Sequence, residues 1–407
     1  MSHPSPQVAV IGGGPAGLMA ADELSRAGVA VALFDAMPSV GRKFQLAGRG
    51  GLNLTHSEPY ERFVTRYGVA GDMLRPMLDA FTPDDLRAWC AGLGQETFVG
   101  SSGRVFPTVM KAAPLLRAWL QRLSSQGVQF HNRHRWLGWT EDGALRLAHP
   151  GGELLLRPQA TVLALGGASW PRLGSDGAWA PLMAERGVAV SPLRASNCGF
   201  EVLGGWSEHL RSRFAGQPLK PVAIQFGGRR QAGEFVLTEH GIEGSLVYAF
   251  SAALREVIAE EGAATLALDL LPQHSAEQVA TALARGRGSK SLSSQLKSLF
   301  SLSSAKSALL HELLDASTLN EPRALGPALK ALPLTVSATR PVAEAISTAG
   351  GIRFDALSPD GELKALPAVW ATGEMLDWEA PTGGYLLTAC LAHGRWVGQA
   401  LARKLCA

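Results

Sequence analysis

Cysteine is scarce in this chain and does not cluster. The four residues, Cys90, Cys198, Cys390 and Cys406, form no C-x-x-C pair and have no histidine at metal spacing. Neither a disulfide framework nor a metal site is expected, and isolated reduced thiols are the simpler reading. Charge of one sign is also lacking. Charged residues are 18% of the chain and the net charge is +3, too balanced to argue for nucleic acid by itself, since such binding usually shows a concentrated basic field. No run of 18 apolar residues occurs, so no spanning helix is expected. The apolar stretch from Val8 to Ala21 has no basic leader, and its glycines with Pro15 break a signal-type helix. A cytoplasmic location is the default expectation. Low-complexity segments and internal repeats are absent as well.

Hydrophobic residues, at 46%, supply ample core, and 407 residues give a soft prior of roughly two to three domains. Gly at 46 and Pro at 24 point to many tight turns and close backbone approaches.

The clearest chemistry stands first. Val8–Ile11 reads as a buried strand of a parallel sheet. Gly12-Gly13-Gly14-Pro15-Ala16-Gly17 follows, then a helix over Leu18–Ala27, Gly28, a second strand over Val29–Phe34, and Asp35 with Ala36. Gly12, Gly14 and Gly17 fit G-x-G-x-x-G. The first glycine permits the tight turn, the second lets backbone approach a pyrophosphate, and the third lets helix and strand pack closely. The helix N-terminus, at Pro15 and Ala16, offers free N–H groups and a positive dipole to phosphate. Asp35 is placed to accept hydrogen bonds from ribose hydroxyls and would repel a 2′-phosphate. FAD or NAD, rather than NADP, is the expected dinucleotide.

A second cluster, Gly41-Arg42-Lys43-Phe44-Gln45-Leu46-Ala47-Gly48-Arg49-Gly50-Gly51-Leu52-Asn53-Leu54-Thr55-His56, reads as an extended basic loop running beside something flat and anionic. FAD enzymes use such loops, and a solvated basic loop is the alternative. Arg42, Lys43 and Arg49 are candidates for phosphate or flavin N1/O2 charge, Gly41 and Gly48 for close backbone approach, and Asn53 for the ring. Near the other end, a strand runs into Ala371-Thr372-Gly373-Glu374, with Asp377 beyond it. Pro381-Thr382-Gly383-Gly384-Tyr385 and a helix over Leu386–Leu401 follow. Gly373 and Glu374 are expected at the ribityl chain. Thr382, Gly383 and Gly384 are expected to aim the last helix at the ring, where its positive end stabilises charge on reduced flavin.

Together with Leu163–Pro171, Gly174-Ser175-Asp176-Gly177 and Gly350-Gly351-Ile352, these motifs resemble the HI0933-like family of bacterial flavoproteins, also called YhiN- or BaiN-like. The resemblance spans the whole chain. It implies an α/β fold: a Rossmann-like FAD-binding domain of glutathione-reductase type with inserted modules, acting as an NAD(P)/FAD-dependent oxidoreductase. Where many relatives read G-R-C-N, this chain has Gly50-Gly51-Leu52-Asn53, without the thiol and the guanidinium. In the related fold the strand Thr161–Leu165, ending at Gly166, passes the adenosine half of FAD.

A helix is expected over Pro83–Leu93, a strand-like turn over Gly103–Pro107, a helix over Ala112–Ser124 and an antiparallel meander over Gln129–Arg157. The texture then turns β-rich, and later helical and Ser/Leu-rich. Expected domains are 1–190 with 341–407 for FAD, 191–272 as a β-rich insertion and 273–340 as a helical one, an arrangement that commonly builds a substrate lid.

A second G-x-G-x-x-G unit is lacking, so NAD(P)H is expected only as a transient electron donor. No catalytic residue is assigned; Asn53, His56 and His240 are candidates, and Tyr385 reads as a packing aromatic. The leading expectation is reduction of an unsaturated or carbonyl-bearing small molecule. One alternative is a flavin-dependent RNA-modifying reductase, with Arg211, Arg213, Arg229, Arg230, Arg285, Arg287 and Lys290 on phosphates, although Glu201, Glu208, Glu256, Glu260 and Glu261 lie among them. The other is a non-catalytic flavin-binding redox module.

Overall fold

A computed structural model describes residues 6–48 and 50–406, which divide into two units: the chain up to Arg194 together with Ser347 onward, and Ala195–Ile346.

The first unit is built on a five-stranded parallel sheet. Its strands are β1 (Val8–Ile11), β2 (Val31–Asp35), β3 (Gln129–Asn132), β4 (Ala160–Leu163) and β5 (Val369–Ala371), in the spatial order β5-β4-β1-β2-β3. Val8 faces Val31 on one side and Ala160 on the other. Every residue of β1 is at most 2% exposed, which explains its unbroken β-branched and apolar run. Helix α1 (Pro15–Arg26) starts directly after the glycine turn. Pro15 suits its first position because it lacks an N–H that would be orphaned there. Helix α2 spans Arg42–Ala47, α3 spans Ala112–Ser125 and α4 spans Tyr385–Cys406.

The first and last helices pack against each other through glycine. A Cβ on Gly394 would lie 2.3 Å from the Ala16 carbonyl oxygen, and one on Gly398 would lie 2.8 Å from that of Ala20. Backbone thus meets backbone where the two ends of the chain join.

Three sequence expectations change. The cluster after Asp35 is not loop throughout: Gly41, at φ +69°, turns the chain into α2, whose Lys-Phe-Gln-Leu-Ala run consists mostly of good helix formers. The meander is shorter than expected, with strands Arg135–Trp139, Leu145–His149 and Gly152–Leu156, because Gln129–Asn132 joins the parallel sheet as β3. The insertion holds one core instead of two. Six strands, among them Pro218–Phe226 and Arg229–Leu237, close a barrel. Its last strand, Leu332–Thr339, comes after the helices and pairs with both Phe200–Val202 and Ala264–Asp269. Leu296, Leu309 and Leu329 of those helices share a hydrophobic cluster with Val222, Leu266 and Leu334 of the barrel. Buried Lys306 ties helix to barrel by donating to the carbonyls of Pro221 and Leu270, at 2.6 and 2.7 Å. Burial lowers its pKa to about 8.

Candidate cofactor cleft

The glycines of the first turn have separate causes. Gly12 has φ +107°, and a Cβ there would lie 2.2 Å from the Ala164 carbonyl oxygen. A Cβ on Gly17 would lie 2.0 Å from the Gly12 oxygen, so helix and strand touch through it. Gly13, which the motif leaves free, is fixed too: its Cβ would meet Val40 at 2.4 Å and the Asp35 carboxylate at 2.9 Å. Gly14 differs from all three: it lines a cleft together with Gly12 and Gly13, but a Cβ there would meet nothing within 4 Å.

That cleft is open to solvent and holds about 840 Å³ of empty space including its mouth. Gly12, Gly14, Pro15 and Ala16 form one wall; Asp35, Ala36, Gly41, Arg42 and Lys43 form the next; Gly166 and Glu374 face them. Eleven of the residues expected at the cofactor are therefore brought together there.

Asp35 is already hydrogen-bonded. It accepts from the Gly13 and Met37 amides at 2.8 and 2.7 Å, which leaves lone pairs for a further donor. Burial raises its pKa, against the pull of those amides and of the Arg42 charge. Lys43, expected at phosphate or at flavin N1/O2 charge, already has protein partners. Its ammonium is committed to Glu374 at 2.7 Å and to the Ser169 hydroxyl at 2.6 Å. Glu374 also accepts from the Thr348 amide at 3.1 Å. Arg42 makes no hydrogen bond or ion pair among the described residues, so it is the cation at hand for an anion in the cleft.

The remaining expected residues lie outside the cleft lining. Gly17 sits behind Gly12. Gly48 packs on Ala112, where a Cβ would find 2.7 Å. Gly373, at φ +83°, lets the turn after β5 pass the Ala16 methyl. Gly384 lets the start of α4 press against Thr55, whose backbone nitrogen a Cβ would approach to 2.5 Å. Gly383 and Thr382 form the turn just before it. Asn53 lies two residues before Thr55, and its Oδ1 is buried without a partner, an acceptor left for a ligand. Arg49 lies outside the described residues. These observations fit a dinucleotide: a backbone cradle open at Gly14, an uncommitted guanidinium, and an orphaned amide oxygen.

Of the two proton-donor candidates, His56 is already engaged. His56 has both ring nitrogens on backbone: Nε2 lies 3.0 Å from the Ser102 oxygen and Nδ1 accepts from the Glu58 amide at 3.1 Å. Its ring stacks on Tyr385. His240 is an exposed residue of the second unit, between the strands Arg229–Leu237 and Gly241–Glu243. Tyr385 packs as expected, and its hydroxyl donates to Glu58 at 2.5 Å. Burial, together with Glu58, raises the Tyr385 pKa. Burial also works against the Glu58 charge, but the Arg66 and Tyr385 hydrogen bonds outweigh it and hold the carboxyl below its usual range.

Of the lining, His134, Trp136 and Cys390 escaped the sequence reading as site residues, while Ser175 and Thr372 lie in motifs it quoted without giving them a contact of their own. Cys390 sits on α4 with its thiol pKa raised by burial and by the Glu374 charge. Beneath Thr372 lies His393, 1% exposed. Its Nδ1 accepts from the Thr372 hydroxyl at 2.8 Å and the Gly373 amide at 3.3 Å. Burial lowers its pKa to about 4 from 6.5. Its neutrality therefore contributes stability that is full above pH 6.5 and falls as pH drops toward 4. The contribution is at most about 3 kcal/mol. Urea melts of apoprotein across that range should lose this slope in His393→Gln; an unchanged slope would assign the acid sensitivity elsewhere.

Fold and cleft together define a class: a Rossmann-type flavoprotein oxidoreductase dependent on FAD. The chain belongs to the HI0933-like family, whose model, described as the HI0933-like protein Rossmann domain, matches residues 6–400. It is similar to a 3-dehydro-bile acid delta(4,6)-reductase of Clostridium scindens, at 26% identity over 98% of this chain and 99% of the relative. Among solved structures it is similar to a 3-ketosteroid delta1-dehydrogenase of Sterolibacterium denitrificans in complex with 1,4-androstadiene-3,17-dione. That match has TM-score 0.54 at 12% identity and covers 99% of this chain and all of the other. It is also similar to Mycobacterium smegmatis Sdh1 in complex with UQ1, with TM-score 0.51 at 16% identity over 100% of this chain and 70% of that one. At these identities the structural likeness concerns the fold.

Proposed function

We infer that the chain is a reductase of an apolar, rigid enone, a ketone conjugated to a carbon–carbon double bond as in oxidised steroids, with NAD(P)H as electron source. The observation that carries this reading is the end-to-end match to a bile acid reductase on a chain whose cleft suits a dinucleotide. FAD, when bound, supplies the hydride chemistry. Gly12, Gly14, Pro15 and Ala16 would hold its pyrophosphate at the α1 N-terminus, and Arg42 would neutralise it. Asp35 would accept from ribose hydroxyls. Asn53, with the α4 N-terminus at Thr382, Gly383 and Gly384, would serve the ring end. His56 and Tyr385 have their polar atoms committed, so proton delivery to substrate is not assigned to them.

An anaerobic titration tests the reading. NADH or NADPH should bleach the bound flavin, and a 3-keto-Δ4 steroid added next should restore its colour. Full flavin that neither nucleotide reduces would remove the donor. Reduced flavin that no such enone reoxidises would remove the substrate class. Three of the seven cations offered for the RNA alternative have protein partners: Arg230 pairs with Asp269 at 2.8 Å, Arg211 with Glu208, and Arg287 donates to Asn320.

A further inference from the structure

Ser175 is a buried hydroxyl that nothing in the fold uses. The residue is 6% exposed, its Oγ is buried without a hydrogen-bond partner, and it lines the cleft. A buried hydroxyl left unpaired is costly, and native chains rarely keep one without a use.

Its neighbours place it. A Cβ on Gly174 would lie 2.8 Å from Met37 Cγ, and the Met37 amide donates to Asp35 at 2.7 Å. Next along the chain, Asp176 pairs with Arg135 at 2.7 Å. The preceding residue, His134, donates its amide to the Asp35 carbonyl at 2.8 Å and lines the cleft itself. The segment 174–176 is thus fastened twice to the Asp35 corner. On the other side, a Cβ on Gly166 would lie 3.3 Å from Ser175 Oγ, so the hydroxyl stands opposite the turn after β4. In a Rossmann site the acid after the second strand marks the ribose of the adenosine half.

We propose that the Ser175 hydroxyl is a cofactor-binding group that hydrogen-bonds the ADP half of the dinucleotide, setting affinity for that half and not for the flavin. This rests on the reading of the cleft given above. The group recognised is a ribose hydroxyl or phosphate oxygen, and Ser175 can donate to either.

The test uses full-length apoprotein, stripped of flavin and titrated with FAD, ADP and FMN. Ser175→Ala should weaken FAD and ADP alike, by about 5- to 10-fold, the range of one hydrogen bond. FMN binding should not change, and Ser175→Thr, which keeps the hydroxyl, should hold FAD and ADP within about threefold of wild type. Apo Ser175→Ala should melt no lower than apo wild type, because the hydroxyl it loses has no partner there. A structural serine would lower that melt and overturn the proposal. Unchanged FAD and ADP affinity would also overturn it, as would weakened FAD with unchanged ADP. If wild type bound ADP, lost it in Ser175→Ala and refused FAD, the serine contact would stand and the flavin reading would fall.

Discussion

Gly14→Val should yield a folded, colourless protein. Gly14 caps α1 at φ −80° and ψ 179°, extended backbone that valine adopts without strain. A Cβ there meets nothing within 4 Å, so the apoprotein should unfold in urea within about 1 kcal/mol of wild type. The new side chain would stand in the cleft, in front of the α1 amides. Losing that cradle should cost FAD at least about 100-fold in affinity, close to 3 kcal/mol. Gly12→Val is the contrast. It strains a φ of +107° and drives a Cβ to 2.2 Å from the Ala164 oxygen, so it should lose the fold along with the cofactor. Circular dichroism and the ratio of flavin to protein absorbance separate the two. Full flavin in folded Gly14→Val would refute the placement of the pyrophosphate.

The contrast also shows which parts of the site the sequence discloses. Strand, turn, helix, strand and acid in the first 35 residues are joined by short connections, so spacing along the chain becomes spacing in space. The opposite wall has no such rule. Ser175 and Trp136 reach the cleft from the ends of distant segments, and Cys390 from the last helix. The polar run Gln129–Asn132 reads like a meander strand, yet it completes the parallel sheet by pairing with β2 at the edge. The division of the insertion at 272/273 follows a change of texture. The barrel ignores that change, because its closing strand, Leu332–Thr339, is delivered only after the helices have passed. At Arg42 and Lys43, adjacent cations that composition treats as equivalent, the structure separates their tasks: one is uncommitted in the cleft, the other bound to Glu374.

Exchanging each of those cations for methionine should therefore have opposite consequences. Arg42→Met removes a guanidinium that makes no hydrogen bond or ion pair among the described residues and acts on the protein only through its charge near Asp35. It should weaken FAD by about tenfold, as expected for one charge-assisted contact, and leave apoprotein stability nearly unchanged. Lys43→Met strips the partner from Glu374, a carboxylate only 8% exposed, and should destabilise the apoprotein by about 2 kcal/mol. The value lies below that of a fully buried pair because the Lys43 side chain is itself 25% exposed. Adding Glu374→Gln should recover much of the loss, since an amide can stay buried without a counter-charge, and a double-mutant cycle in urea should return a coupling of about 1 kcal/mol or more. Additive losses would mean that the pair does not act as a unit. A coupled pair would have a consequence for folding as well. Lys43 and Glu374 are 331 residues apart, on the two segments that the insertion separates, and their contact forms only when both have returned to one sheet. Lys43→Met should then mainly speed unfolding if the segments meet after the transition state, and slow folding if they meet before it.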